Sequence, residues 1–324
     1  MKAGAEQGSL LDELKLPATK ARILRFAGEI ADSRPERPDY LHSVLCQVGL
    51  PRRETKSLTF ERTSGTASLL IEAGRLWTGR TWVQQPLPFG TRPRLALVHV
   101  SSEAVRSKSP IVEIGGSVRE FLIRLNVDTG GREYSTFTRQ MRALSACRMS
   151  LGFGTATMDA KPIERFDAWT GLDGGPAPDE DCETGKLTNE GQANGGHFRG
   201  SGVIELTPKF YASLAEFAVP LDARALAALK HSALALDVYT WLAHRLHRIN
   251  RITGHRVPWK SLRDQFGQEY TDPKNFKRKM LKTLQAVYAV YPDARVRQVR
   301  GALILLPSHP PVPKTQLQGR LLKE

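Results

Sequence analysis

The chain has 324 residues, with 47 Lys and Arg against 33 Asp and Glu, a formal charge of +14 and a pI near 9.9. That length suits two domains with an added N-terminal segment, and an apolar fraction of 40% is enough to build ordinary cores. The charge points to a polyanion or an acidic surface as partner, while apolar runs such as Ala302–Pro307 are far too short to span a bilayer.

Residues 1–39 read as a flexible, poorly anchored tail with one helical stretch, Thr19–Ile30, followed by Pro and Arg crowded into Arg34–Pro38. The opening MKAGAEQGSL lacks the apolar stretch of a signal peptide, so a cytoplasmic location is expected. An N-terminal domain is expected over 40–216. Within it, Ser57–Thr63 and Ser68–Gly74 read as strands around the turn Ser64–Gly65. Pro86, Pro88 and Gly90 break the chain before a helical run, Pro93–Ser107.

Pro110–Gly116 then reads as a strand. Ser117 and Glu120 are spaced as a capping box for a short helix, and Asn126–Gly131 is a turn. A second helix is expected over Tyr134–Met149, with Phe137, Met141 and Leu144 inward and Thr138, Arg139, Arg142 and Ser145 on its polar side. Two helices across a Gly-bearing turn form a helix-turn-helix candidate, although helix pairs are common. Residues 170–196 are Gly-rich, acidic and nearly free of large apolar side chains, which describes a flexible loop. The spacing places that loop inside a β-hairpin, between Thr155–Met158 and Gly202–Leu206.

The same order recurs over 217–310, ahead of a C-terminal tail, 311–324. Asp222 caps a long helix expected over Ala223–Ile249, Pro258 opens a short helix WKSLRDQF, and Gly267–Thr271 is a turn. In the next helix Asp272 is the N-cap and Pro273 the first helical residue. Phe276, Met280, Leu281, Leu284, Val287 and Tyr288 share one arc, with Lys274, Asn275, Arg278, Lys279 and Lys282 opposite and Lys277 at the edge. Most surface helices mix signs for i,i+4 pairing, and this one does not. The chain closes with a hairpin, Ala294–Val299 and Ala302–Pro307, turning at Arg300–Gly301. From Arg245 to Arg300 there are fourteen Lys or Arg and four acids, so most of the excess charge sits here.

The fold class expected is α+β, with tandem winged-helix domains after an irregular N-terminal extension. The expected DNA contacts are Lys274, Asn275, Arg278, Lys279 and Lys282 on the second helix of the C-terminal pair, together with Lys260, Arg295, Arg297 and Arg300. Thr138, Arg139 and Arg142 are the corresponding candidates in the first half.

Enzyme chemistry finds little support. ETGK, Glu183–Lys186, has Glu180 where a phosphate loop needs its first glycine, and Leu187 where it needs Ser or Thr. The eight histidines include no His-x-His. His244 and His247 lie i,i+3 without a carboxylate or Cys at ligand spacing, as ordinary helix-surface histidines would. Asp179–Glu183 reads as a solvated acidic run, and Tyr239 and Trp241 as core. Cys46, Cys147 and Cys182 form no CxxC pair and read as reduced thiols, with a structural role for Cys147. No catalytic residue, metal or cofactor is expected.

Several stretches resemble plasmid-encoded RepA replication initiators: Phe217–Leu246 most specifically, with LPRRE at Leu50–Glu54, PFGTRPRLAL at Pro88–Leu97 and the basic C-terminal helix. The resemblance covers roughly Tyr40 to Pro307 and extends, more distantly, to iteron-binding initiators built from two winged helices. It implies binding to directly repeated origin sites in double-stranded DNA, opening of adjacent AT-rich DNA, and recruitment of the host initiator and replicative helicase. A homodimer is compatible with it. The acidic loop 170–196 has no clear counterpart in the family. A winged-helix transcriptional repressor is the alternative on the same residues.

Overall fold

The computed structural model describes residues 16–77, 80–159, 161–167 and 202–313. Helix α1, Ala18–Asp32, buries Phe26. Strand β1, Pro38–His42, leads directly into the short helix α2, Ser43–Gln47, which His42 caps by accepting from the Val44 amide. Strands β2 (Thr59–Ser64) and β3 (Ala67–Glu72) pair antiparallel, as the two-residue turn between them requires, and a small ribbon follows, β4 (Arg75–Trp77) with β5 (Trp82–Gln84).

Helix α3, Thr91–Ser107, opens the first of two similar units. Strand β6, Ile111–Gly115, precedes α4, Val118–Arg124. Ser117 Oγ accepts from the Glu120 amide, and Glu120 accepts in return from Gly116 N at 2.8 Å, so the capping box closes one residue early. Helix α5, Gly131–Ala146, carries Phe137, Met141 and Leu144 into the core. It ends three residues before the expected Met149, because Arg148–Phe153 is strand β7, paired to both β3 and β8, Ala156–Asp159. Strands β9 (Ile163–Asp167) and β10 (Gly202–Leu206) complete the unit, with sheet order β6-β10-β9.

Gly202–Leu206 therefore pairs with Ile163–Asp167 and with Ile111–Gly115, and the expected Thr155–Met158 belongs to the β2-β3-β7-β8 sheet. The two hydrophobic stretches are close in sequence, and register across a long connection leaves no local mark. The connection itself, with the acidic residues 170–196, lies outside the described residues, as do 1–15 and 314–324.

After helix α6, Pro208–Phe217, strand β11, Ala218–Asp222, pairs with β1 from Pro38↔Asp222 to His42↔Ala218. The expected helix Ala223–Ile249 is broken. Helix α7 spans Ala223–Leu229 and α8 spans Ala233–Arg245, followed by a 3-10 turn, Leu246–Arg248. Ser232 makes the break by capping α8, its hydroxyl accepting from Ala235 N at 3.2 Å. Strand β12 (His255–Pro258), α9 (Trp259–Phe266), α10 (Pro273–Val290), β13 (Val296–Val299) and β14 (Ala302–Leu305) follow, with sheet order β12-β14-β13.

Both units share an order of helix, strand, helix, helix and two strands, with the same sheet order. The first has the β7–β8 hairpin added before its last two strands. The buried apolar side chains of both join one cluster, which includes Leu97, Phe121, Leu226, Leu242 and Phe276. Helix α1 is docked, where a poorly anchored tail is expected: Arg22 Nε donates to Ala228 O at 3.1 Å, and Arg224 Nη1 donates to Glu29 O at 2.7 Å. Among the described residues no helix is long and apolar enough to cross a membrane.

Candidate nucleic-acid interface

Helix α10 begins where its sequence says it should. Asp272 Oδ1 accepts from Lys274 N at 2.9 Å, and Pro273 gives up no hydrogen bond at the first helical position. Phe276, Met280, Thr283, Leu284, Val287 and Val290 are buried, which fixes the rotation of the helix. Lys274, Asn275, Arg278, Lys279 and Lys282 consequently face solvent. Arg278 Nη2 donates to Asn275 Oδ1 at 3.0 Å, a bond between neighbours that leaves the guanidinium charge uncompensated. Lys277 is half-buried, with its ammonium 5.3 Å from the Trp259 ring, so its stem lies along α9 and its charge is held by an aromatic face.

The hairpin β13–β14 adjoins this helix. Tyr288 Oη donates to Val296 O at 3.3 Å, tying the C-terminal half of α10 to the start of β13. At the hairpin tip Gly301 takes φ 77°, a left-handed turn conformation that favours glycine. Its carbonyl accepts from Trp259 N at 3.1 Å, so the start of α9, and with it exposed Lys260, stands at the tip beside Arg300. Arg295, Arg297 and Arg300 are exposed. Arg256, on β12, is exposed too and donates to Arg300 O at 3.3 Å. Sequence patterning does not single Arg256 out, because a cation on an edge strand carries no helix-face signal. These cations share one unit, and no ion pair joins any of them to an acid among the described residues.

The first-half candidates sit differently. Arg139 is exposed on α5 and forms an ion pair with Glu54, with the Phe89 ring 5.9 Å from its guanidinium. Thr138 is half-buried with its hydroxyl enclosed, and Arg142 is half-buried and engaged with another group. Ser145, expected on the polar side, is buried. Of this set, Arg139 presents a charge to solvent, and a surface ion pair costs little to exchange for a phosphate.

Tyr239 and Trp241 are core residues, as expected, and Tyr239 Oη accepts from Asp222 N at 2.9 Å. His244 is buried rather than on the helix surface, and burial, with Arg248 nearby, pulls its pKa down to about 3. Cys46 and Cys147 are free, buried thiols; burial pushes the Cys147 pKa up to about 12 and that of Cys46 higher still. Such thiols are protonated and unreactive at neutral pH. Among the described residues no group of three His, Cys, Asp or Glu is arranged to hold a metal.

Residues 184–260 match the family described as plasmid encoded RepA protein. No curated protein matches the chain. The crystal structure of RctB domains 2-3 (RctB-155-483) is similar at a TM-score of 0.46 and 10% identity, covering 81% of this chain and 94% of that one. A structure of selenomethionine derivatives of domain 2 and domain 3 of RctB gives 0.44 and 9%, covering 78% and 86%. The stretch Phe217–Leu246, which carries the sequence resemblance most specifically, lies inside the residues that this family matches.

Proposed function

We propose that the chain is a plasmid replication initiator that binds directly repeated sites in double-stranded origin DNA through two winged helices. In this reading α10 enters the major groove and the β13–β14 hairpin is the wing. The observation that carries it is the solvent face of α10: four exposed cations and an asparagine, with no acid anywhere in the helix. Like charges on one helix face repel one another until a polyanion neutralises them.

The order α8, β12, α9, α10, β13, β14 supports the winged-helix reading, because the second helix after the first strand is the one left free to lie in a groove. The first unit repeats the order with α5 as the equivalent helix and Arg139 as its outward cation. Two unlike units in one chain favour direct repeats, whereas a repressor homodimer would favour a palindrome. Opening of AT-rich DNA and recruitment of the host initiator and helicase are part of the proposal through the family resemblance. The role is that of a binding protein, not an enzyme.

The test is fluorescence anisotropy of the full chain on a labelled origin fragment, with and without excess unrelated duplex, beside an incubation of the same DNA with magnesium or manganese. Retained origin binding under competition and intact DNA are expected. Equal affinity for both duplexes, or metal-dependent cleavage or synthesis, would overturn the reading.

A further inference from the structure

A second basic feature lies apart from the hairpin tip. The end of α8, the 3-10 turn and the loop before β12 border an open cavity of about 420 Å³, lined by His244, Arg245, Arg248, Arg251 and His255 among others. No carboxylate lines it. The loop is closed by Gly254 N donating to Arg251 O at 2.8 Å. His255 pairs with Leu305 at the open end of the sheet, while Pro258 pairs with Ala302 beside the tip. The cavity therefore stands three residues along β12 from the tip that carries Arg300, roughly 10 Å away at strand spacing.

Two of its side-chain nitrogens lack partners. Arg245 Nε and His244 Nδ1 are enclosed and make no hydrogen bond among the described residues, and the His244 side chain lies within a residue that is only 9% exposed. The charges also act on one another rather than on acids. Burial lowers the pKa of Arg245 and no nearby carboxylate offsets it, while His255 is lowered by burial and then by Arg245 and Arg251. An enclosed donor on the half-buried Arg245 without an acceptor is costly, and the usual resolution is an ion. Three arginines lining one space suit the several oxygens of a phosphate better than a single carboxylate. The volume falls in the range of small-molecule sites.

We propose that this cavity is a phosphate-binding site, with Arg245, Arg248 and Arg251 as its anion ligands and neutral His244 as a further hydrogen-bonding group. The phosphate belongs either to a free phosphate-bearing molecule, such as a nucleotide, or to the DNA backbone passing beside the hairpin.

The experiment uses the full chain in phosphate-free buffer. Pyrophosphate and ATP are titrated calorimetrically into the wild type, Arg245→Gln and Arg251→Gln, and salt dependence of duplex binding is measured for the double variant. Saturable binding to the wild type, weakened about tenfold or more by either substitution, assigns a free phosphate ligand. Arg245→Gln should melt no lower than the wild type before ligand is added, because it removes an unneutralised cation rather than a structural bond. If that variant fails to fold, Arg251→Gln, on the exposed loop, carries the test. Absence of pyrophosphate and ATP binding, together with a salt slope reduced by about 0.9 for each phosphate no longer neutralised, assigns a backbone phosphate. No free-phosphate binding and an unchanged slope would overturn the proposal.

Discussion

Arg94 on α3 and Asp237 on α8 form a two-pronged ion pair, Nε to Oδ1 at 2.7 Å and Nη2 to Oδ2 at 2.9 Å, that joins the two halves of the chain. Both residues are buried. The remaining Arg94 donors reach Pro51 O, Gly90 O and Leu50 O at 3.0, 2.6 and 2.5 Å, so all of its N–H groups are used. Asp237→Ala leaves a buried, uncompensated guanidinium and should cost about 3–5 kcal/mol in denaturant unfolding. Arg94→Met with Asp237→Leu should lose less than the two single changes together, since no lone charge remains. Additive losses would show that the two residues act independently.

Gly49 sits against the same pair. A Cβ placed there would lie 2.5 Å from Asp237 Oδ1, and the carboxylate cannot retreat without breaking its bonds to Arg94. Gly49→Ala should therefore lower the melting temperature markedly in the wild type and much less in the Asp237→Ala background. Equal effects in the two backgrounds would mean that the carboxylate is free to shift.

His42 provides a pH signature. It is buried beside Phe210 and Phe217, and burial alone pulls its pKa down to about 4. In the unfolded chain it returns to about 6.5. Below that value the unfolded chain takes up a proton that the folded chain refuses, so stability is lost as pH falls from about 6.5 to about 4. The loss is on the order of 3 kcal/mol for this residue. His99, lowered to about 4 chiefly by burial, adds to it in the same window. His42→Asn keeps an acceptor for Val44 N and removes the titration, so its melting temperature should fall less steeply between pH 7 and pH 5. An unchanged slope would contradict this assignment.

The local features are legible in the sequence because local chemistry determines them. Asp272, Pro273 and the apolar period of Phe276–Met280–Leu284 define α10 before any fold is known, and Ser117–Glu120 defines the start of α4. The basic face is legible because unpaired charge has to remain at the surface. What the sequence hides is spatial. Strand β1 at Pro38–His42 looks like a proline-crowded link until β11 arrives as its partner. Residues 148 and 149 continue a helical pattern until β3 claims them. The Arg94–Asp237 pair unites residues that no spacing rule connects, and His244 looks like a surface histidine until the core closes around it.

Two substitutions separate the roles of α10 in binding and in folding. Arg278 and Lys282 are exposed and opposite the buried face, so Arg278→Ala and Lys282→Ala should each leave folding stability within about 0.5 kcal/mol of the wild type. Each should weaken duplex binding, and removal of a guanine-reading side chain should cost about 1–3 kcal/mol and relax sequence choice at that position. Unchanged affinity of both variants at moderate salt would reject α10 as the recognition helix.

The hairpin should behave as a phosphate clamp. Alanine at Arg295, Arg297 and Arg300 together should weaken binding to all duplexes with little change in preference. It should also flatten the plot of log affinity against log salt by about 0.9 for each phosphate that goes unneutralised. Wild-type salt dependence in the triple variant would turn the hairpin away from DNA.

The most direct measurement is a footprint of the full chain on the intact plasmid. If the two units bind as proposed, they should protect a series of directly repeated sites in one orientation, and Arg278→Ala with Lys282→Ala should erase the pattern while the protein stays folded. Protection of a single palindrome, or a footprint that survives both substitutions, would contradict the account.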